Sequence, residues 1–198
     1  MSERWRILVL DDDQDVLDLI HLKLAAEYDV LCIDKASVVG RAVDLFEPDL
    51  IVLDIMLPQI SGYQVMEYLK RNPTTASIPV CFLSAKSSAR DLKYGYSLGA
   101  SLYLTKPFQP ERLIRNIKLQ FERMPPPQHR KRLTIAEINQ QLQKEGGTYQ
   151  VATGEPGVMP REAKERPKTP TPPPITPPPT TPPPKEEEEP KPRPRWVH

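Results

Sequence analysis

Short, wholly apolar runs recur through the first part of the chain, each followed by a stretch of helical periodicity. Ile7-Leu8-Val9-Leu10 is the first, and a run without polar alternation marks a strand buried on both faces of a parallel sheet. Beyond Asp11, Asp12 and Asp13, the residues Val16, Leu17, Ile20 and Leu24 return at helical spacing, so a helix capped by Asp13 is expected through about Ala26. Val30 to Ile33 reads as a strand, Val38 to Phe46 as a helix closed by Glu47-Pro48, and Leu50 to Leu53 as a second fully apolar strand ending at Asp54. Ser61 and Gln64 form a capping-box pair that opens a helix through about Arg71. Pro79 to Leu83 is the fourth strand. Ser88 with Asp91 starts the fourth helix, and Gly99 is placed to end it in the left-handed conformation. Leu102 to Thr105 is the fifth strand, and Pro110 opens a helix whose apolar face carries Leu113, Ile114, Ile117 and Phe121.

Strands that alternate with helices need crossover connections, and these put helices on both faces of a parallel sheet. The expected fold is therefore α/β, a doubly wound five-stranded parallel sheet with five helices. In such sheets ligands bind beyond the carboxyl ends of the strands, where strand order reverses.

Composition changes the picture after Met124. Of 25 prolines, six precede that residue and nineteen follow it, so one folded domain over residues 1–124 is the economical reading. Residues 125–150 read as a linker. Within it Thr134 and Glu137 cap a short amphipathic helix bearing Ile135, Ile138 and Leu142 and ending at Gly146-Gly147, and a helix of that length is expected to fray in solvent unless it docks. Residues 151–198 hold almost no large apolar side chains, so a disordered proline-rich tail is expected there. Its Thr-Pro-Pro-Pro repeats at Thr171, Thr176 and Thr181 favour extended polyproline II, and Trp196 is a candidate anchor for a proline-recognising partner.

Charge and cysteines exclude more than they select. Through Met124 there are 15 basic and 17 acidic residues, so no basic face announces direct nucleic-acid contact. Cys32 and Cys81 lie in apolar, β-branched surroundings and read as reduced core thiols. The charged start, Met1 to Arg6, is followed by only four apolar residues, too few for a signal peptide, and no run approaches membrane-spanning length. A cytoplasmic location without membrane contact is expected.

The chemistry sits at the strand ends. Asp11 and Asp12 end the first strand and Asp54 the third, so three carboxylates converge if these strands are neighbours, and like charges that close need a cation. Carboxylate oxygen suits Mg²⁺, which keeps waters and leaves positions for a phosphoryl group. Ser84 and Lys106 end the fourth and fifth strands, adding a hydroxyl and an ammonium. Each has a plainer reading: Asp11 to Asp13 as helix caps, Lys106 as a surface lysine whose stem snorkels, Tyr103 as a packing aromatic. Their coincidence at one edge favours the chemical one, in which the Asp54 carboxylate is a nucleophile toward phosphorus.

Ile7-Leu8-Val9-Leu10-Asp11-Asp12, Pro48-Asp49-Leu50-Ile51-Val52-Leu53-Asp54-Ile55-Met56-Leu57-Pro58, Ser84-Ala85 and Tyr103-Leu104-Thr105-Lys106-Pro107-Phe108 resemble the signatures of CheY-like response-regulator receiver domains. The resemblance runs from about Arg4 to Met124. It implies strand order 2-1-3-4-5 and a Mg²⁺ site made by Asp11, Asp12, Asp54 and the backbone carbonyl of Met56. It further implies Asp54 as phosphoacceptor, Lys106 as the phosphate-binding cation, Ser84 as the phosphate-sensing hydroxyl and a cis Lys106-Pro107 bond. Phosphate on Asp54 would draw Ser84 inward and open space for the Tyr103 ring, and Met56 and Lys86 flank the site where phosphate lifetime is tuned.

None of His21, His129 and His198 falls near the site, so a partner histidine kinase or phosphotransfer protein is expected to supply the phosphoryl group. A downstream protein would read the face formed by the fourth helix, fifth strand and fifth helix, and phosphorylation-dependent homodimerisation is left open. The alternative is an interaction module that keeps the fold but works without phosphorylation. A phosphatase is disfavoured because Met56 stands where a second acid would be needed, and a flavin site because Asp11 to Asp13 would repel its phosphate.

Overall fold

The five apolar runs become five parallel strands: β1 (Arg6–Leu10), β2 (Asp29–Ile33), β3 (Leu50–Asp54), β4 (Val80–Ser84) and β5 (Leu102–Thr105). They hydrogen-bond in the order β2-β1-β3-β4-β5. The structure, a computed structural model, describes residues 4–131 and 133–144. The tail expected over 151–198 and the Gly146-Gly147 helix stop lie outside the described residues.

The helices are α1 (Gln14–Leu24), α2 (Val39–Phe46), α3 (Gly62–Arg71), α4 (Ala89–Ser97), α5 (Pro110–Phe121) and α6 (Ile135–Lys144). Their ends follow the local chemistry. The Asp13 carboxylate accepts from the Asp15 N–H, Ser61 and Gln64 form a complete capping box, Ser88 accepts from the Asp91 N–H, and Pro110 occupies the first turn of α5. Gly99 follows α4 at φ 92°. The second helix differs from its expected start, because Ala36–Val38 form a single 3-10 turn before α2.

Two cores result, one on each face of the sheet. Leu17, Ile20 and Leu24 of α1 pack with Leu113, Ile117 and Phe121 of α5 against Val9, Val52 and Leu83. On the other face α2 and α3 cover Leu8, Leu31, Leu53 and Phe82. Adjacent β1 and β3 thus send their helices to opposite faces, which opens a crevice beyond their carboxyl ends. Cys32 and Cys81 are buried thiols outside any disulfide, as expected. Among the described residues no helix is long and apolar enough to cross a membrane.

Among the described residues a sixth helix, the one expected in the linker, follows the five of the doubly wound domain, and α6 does not lie free in solvent. Ile138 and Leu142 are 0% and 4% exposed and join the core beside α2 and β2. The segment leading to α6 is pinned first. Glu47, left-handed at φ 48° at the end of α2, accepts from the N–H groups of Arg130 (2.7 Å) and Lys131 (3.0 Å). Arg6 donates to the Phe46 carbonyl (2.9 Å) and the Lys131 carbonyl (3.0 Å), tying the open end of α2 to that segment. His129 Nε2 lies 2.9 Å from the Asp49 carboxylate. Burying each aliphatic side chain stabilises by about 1.5–3 kcal/mol, which is why docking prevails over fraying.

Candidate functional site

Strand register brings the site together. Leu10 of β1 pairs with Leu53 of β3, so the next residues, Asp11 and Asp54, leave adjacent strands at one level. Asp54 pairs with Leu83, and Ser84 with Thr105, so Ser84 arrives one step and Lys106 two steps farther along the same edge. The Lys106 N–H donates to the Ser84 carbonyl at 2.7 Å, extending the ladder past β5. The Lys106-Pro107 bond is cis.

Carboxylate oxygens of Asp11, Asp12 and Asp54 all lie within 4.8 Å of one another. Asp11 and Asp54 are buried and Asp12 is exposed. Lys106 Nζ donates to Asp11 Oδ2 at 2.6 Å and to Asp54 Oδ2 at 3.0 Å. The other oxygens of the buried pair are held by main chain: Asp13 N–H donates to Asp11 Oδ1 at 3.0 Å, and Met56 N–H to Asp54 Oδ1 at 3.1 Å. Both buried carboxylates are thereby oriented before any ligand arrives.

Electrostatics favour a cation here. Burial raises Asp11 above the ordinary carboxylate range, against the opposing pull of the Lys106 hydrogen bond and the Asp13 N–H. Burial works against the Lys106 ammonium too, but Asp11 and then Asp54 outweigh it and raise its pKa. Three carboxylates against one ammonium leave a formal charge of −2 when all are ionised. The donors are hard oxygens, and Asp12 opens the cluster to solvent, so the residues present fit a hard divalent ion that keeps part of its water shell.

Ser84 is fully buried, and its Oγ accepts from the Lys86 N–H at 3.0 Å. Tyr103, 7% exposed, donates its hydroxyl to the Lys86 carbonyl at 3.0 Å. One peptide segment therefore connects the two expected switch residues. The Tyr103 ring lies inside, against Phe82 of β4. Met56 exposes its side chain, 53% accessible, at the rim.

Three residues near the site escaped the sequence reading. A Cβ on Gly62 would sit 2.1 Å from the Asp54 carbonyl oxygen, so α3 can start against the end of β3 only with glycine there. The signal was a glycine directly after the Ser61 cap, where helix geometry does not ask for one. Tyr63 lies under the Lys86 ammonium, 5.5 Å from ring centre, and burial, then the Tyr103 hydroxyl, holds its own hydroxyl above the ordinary tyrosine range. Gly95, in the last turn of α4, faces the Tyr103 ring. A cavity of about 680 Å³ between α2, α3 and residues Gln128 to Lys131 contains none of the acids, Ser84 or Lys106.

A 2-1-3-4-5 parallel sheet with acids, a hydroxyl and a lysine at its carboxyl edge defines the class: the receiver modules of two-component signalling. The profile of the response regulator receiver domain matches residues 7–118, more than half of the chain, and the chain belongs to that family. Receiver domains bind Mg²⁺ at an acidic pocket and are phosphorylated by histidine kinases; the family is one of signalling regulators. Among relatives, the DNA-binding dual master transcriptional regulator RpaA of Synechocystis is 42% identical over 115 residues, covering 57% of this chain and 47% of that protein. The transcriptional regulatory protein YrkP of Bacillus subtilis is 38% identical over 122 residues, covering 60% and 50%. The chain thus spans about half the length of these curated relatives. A response regulator structure from Chloroflexus aurantiacus superimposes with TM-score 0.58 at 29% identity, over 61% of this chain and all of that one.

Proposed function

We propose that the chain is a phosphorylation-dependent response regulator in which Asp54 accepts a phosphoryl group from a histidine kinase or phosphotransfer protein. The observation that carries this reading is the convergence of Asp11, Asp12 and Asp54 within 4.8 Å with Lys106 bridging the buried pair. An Asp54 carboxylate oxygen attacks phosphorus, the bond from phosphorus to the donor imidazole breaks, and the imidazole leaves with its electron pair and takes up a proton. Lys106, already on Asp54, balances charge on the transferring group, and the Met56 N–H holds the second Asp54 oxygen. Asp11 and Asp12, with Asp54 and the Met56 backbone carbonyl, would hold Mg²⁺, which supplies neutralisation of the phosphoryl oxygens when bound. The chain turns over no separate substrate; it assists only its own phosphorylation and dephosphorylation.

Ser84 senses the phosphate, and Tyr103 carries that state to the face formed by α4, β5 and α5, where a protein target binds. Residues 1–124 suffice for this chemistry in the reading, and nucleic-acid contact is assigned to none of them. Phosphorylation-dependent dimerisation through the same face is compatible with it. The test is incubation of the full chain with a small acyl-phosphate donor and Mg²⁺, followed by intact mass. The wild type is expected to gain one phosphoryl group and Asp54→Asn none; equal uptake by both overturns the assignment.

A further inference from the structure

We propose that Gly95 sets the position of the Tyr103 switch: lacking a Cβ, it leaves room for the ring to lie inside and so biases the chain toward its phosphoryl-accepting conformation. The inference rests on the switch reading above and adds to it the residue that makes room for the ring's inward position. Glycine at a helical position is disfavoured relative to alanine, and Gly95 lies within α4 at an ordinary φ, so it calls for a packing reason. Gly95 is the buried residue of α4. A Cβ there would lie 2.9 Å from Tyr103 Cδ2, 3.0 Å from Cε2 and 3.3 Å from Phe82 Cδ2, the first two closer than carbon atoms pack.

The relief available is one-sided. Phe82 is fully buried in β4 and packs against the Tyr103 ring edge-on, with centroids 6.0 Å apart. The ring is therefore confined between Phe82 and the helix, and a methyl group at position 95 drives it outward. Outward movement breaks the bond from the Tyr103 hydroxyl to the Lys86 carbonyl, on the same residue whose N–H meets Ser84. Two conformations thus differ in whether Tyr103 braces the loop that holds Ser84. A chain that already populates the braced state loses less of its phosphorylation free energy to rearrangement.

The experiment uses the full-length wild type, Gly95→Ala, Tyr103→Ala and the double variant. Each is labelled with 3-fluorotyrosine, the Tyr103 resonance being assigned with Tyr103→Phe, and each is assayed for initial phosphoryl uptake from an acyl phosphate with Mg²⁺. Gly95→Ala is expected to move the Tyr103 fluorine resonance to a solvent-exposed position and to slow uptake by about threefold or more. In the Tyr103→Ala background, the same change should leave uptake unaltered and raise the urea midpoint, because alanine then only favours the helix. A Tyr103 resonance that stays in place, or an equal slowing without the ring, overturns the proposal. If no variant takes up phosphate, the wild type included, the Asp54 assignment fails, while the fluorine spectrum still decides the role of Gly95.

Discussion

Gly62 shows how much a single missing methyl group can carry. Its place 2.1 Å, at a hypothetical Cβ, from the Asp54 carbonyl oxygen couples the start of α3 to the backbone of the proposed phosphoacceptor. Gly62→Ala must push the helix off β3, an overpacking that costs about 1–3 kcal/mol. The expected result is a lower urea midpoint together with slower phosphoryl uptake, since the same shift displaces Asp54. Cys81 makes a second prediction at this scale. Complete burial pushes its thiol up to about 12 from 9.0. Between those values the unfolded chain releases a proton that the folded chain keeps, so stability falls as pH rises, by about 1.4 kcal/mol per pH unit for one proton. Urea unfolding between pH 9 and pH 11 should show that slope reduced in Cys81→Ala relative to wild type.

Elements differ in how far the amino-acid sequence reveals them. The five strands were legible because burial on both faces leaves runs such as Leu50 to Leu53 without a polar position. Helix starts were legible because Asp13, Ser61 and Ser88 cap locally. The chemistry followed from the same logic: residues that end neighbouring parallel strands must meet, so Asp11, Asp54 and Lys106 converge by register. The inward place of the Tyr103 ring was hidden, because it depends on the Cβ that position 95 of another element lacks. The docking of α6 was hidden for a related reason. Ile135, Ile138 and Leu142 give the same periodicity whether the helix lies on a surface or in water, and its anchors, Arg6 and Glu47, lie far away in sequence.

That docking carries a prediction of its own. A ten-residue helix is marginal alone, and the buried Asn139 Oδ1 atom of α6 has no hydrogen-bond partner among the described residues. Its order therefore depends on Ile138 and Leu142. Ile138→Ala, which removes about 2–5 kcal/mol of packing, should release the amides of α6 to fast hydrogen exchange. Amides of β1 and β3 should stay protected, because the sheet closes without α6. Loss of protection in α6 and in those strands together would contradict this division.

At the scale of the whole molecule, two cores clasp the sheet while the functional groups sit at its carboxyl edge, on the last residues of the strands and the first residues beyond them. The proposed switch residues end β4 and lie on β5, whereas α6 and the segment pinned by Glu47 lie against α2 and β2, so the proposed phosphoryl site and the α6 docking use separate parts of the domain. The account stands or falls on which side chain receives phosphorus. Borohydride reduction of the chain after reaction with an acyl phosphate converts an aspartyl phosphate to homoserine, and peptide sequencing then locates it. Homoserine at position 54, formed with Mg²⁺ and absent without it, is the predicted result; homoserine at Asp11 or Asp12, or equal yield without the ion, would contradict the account.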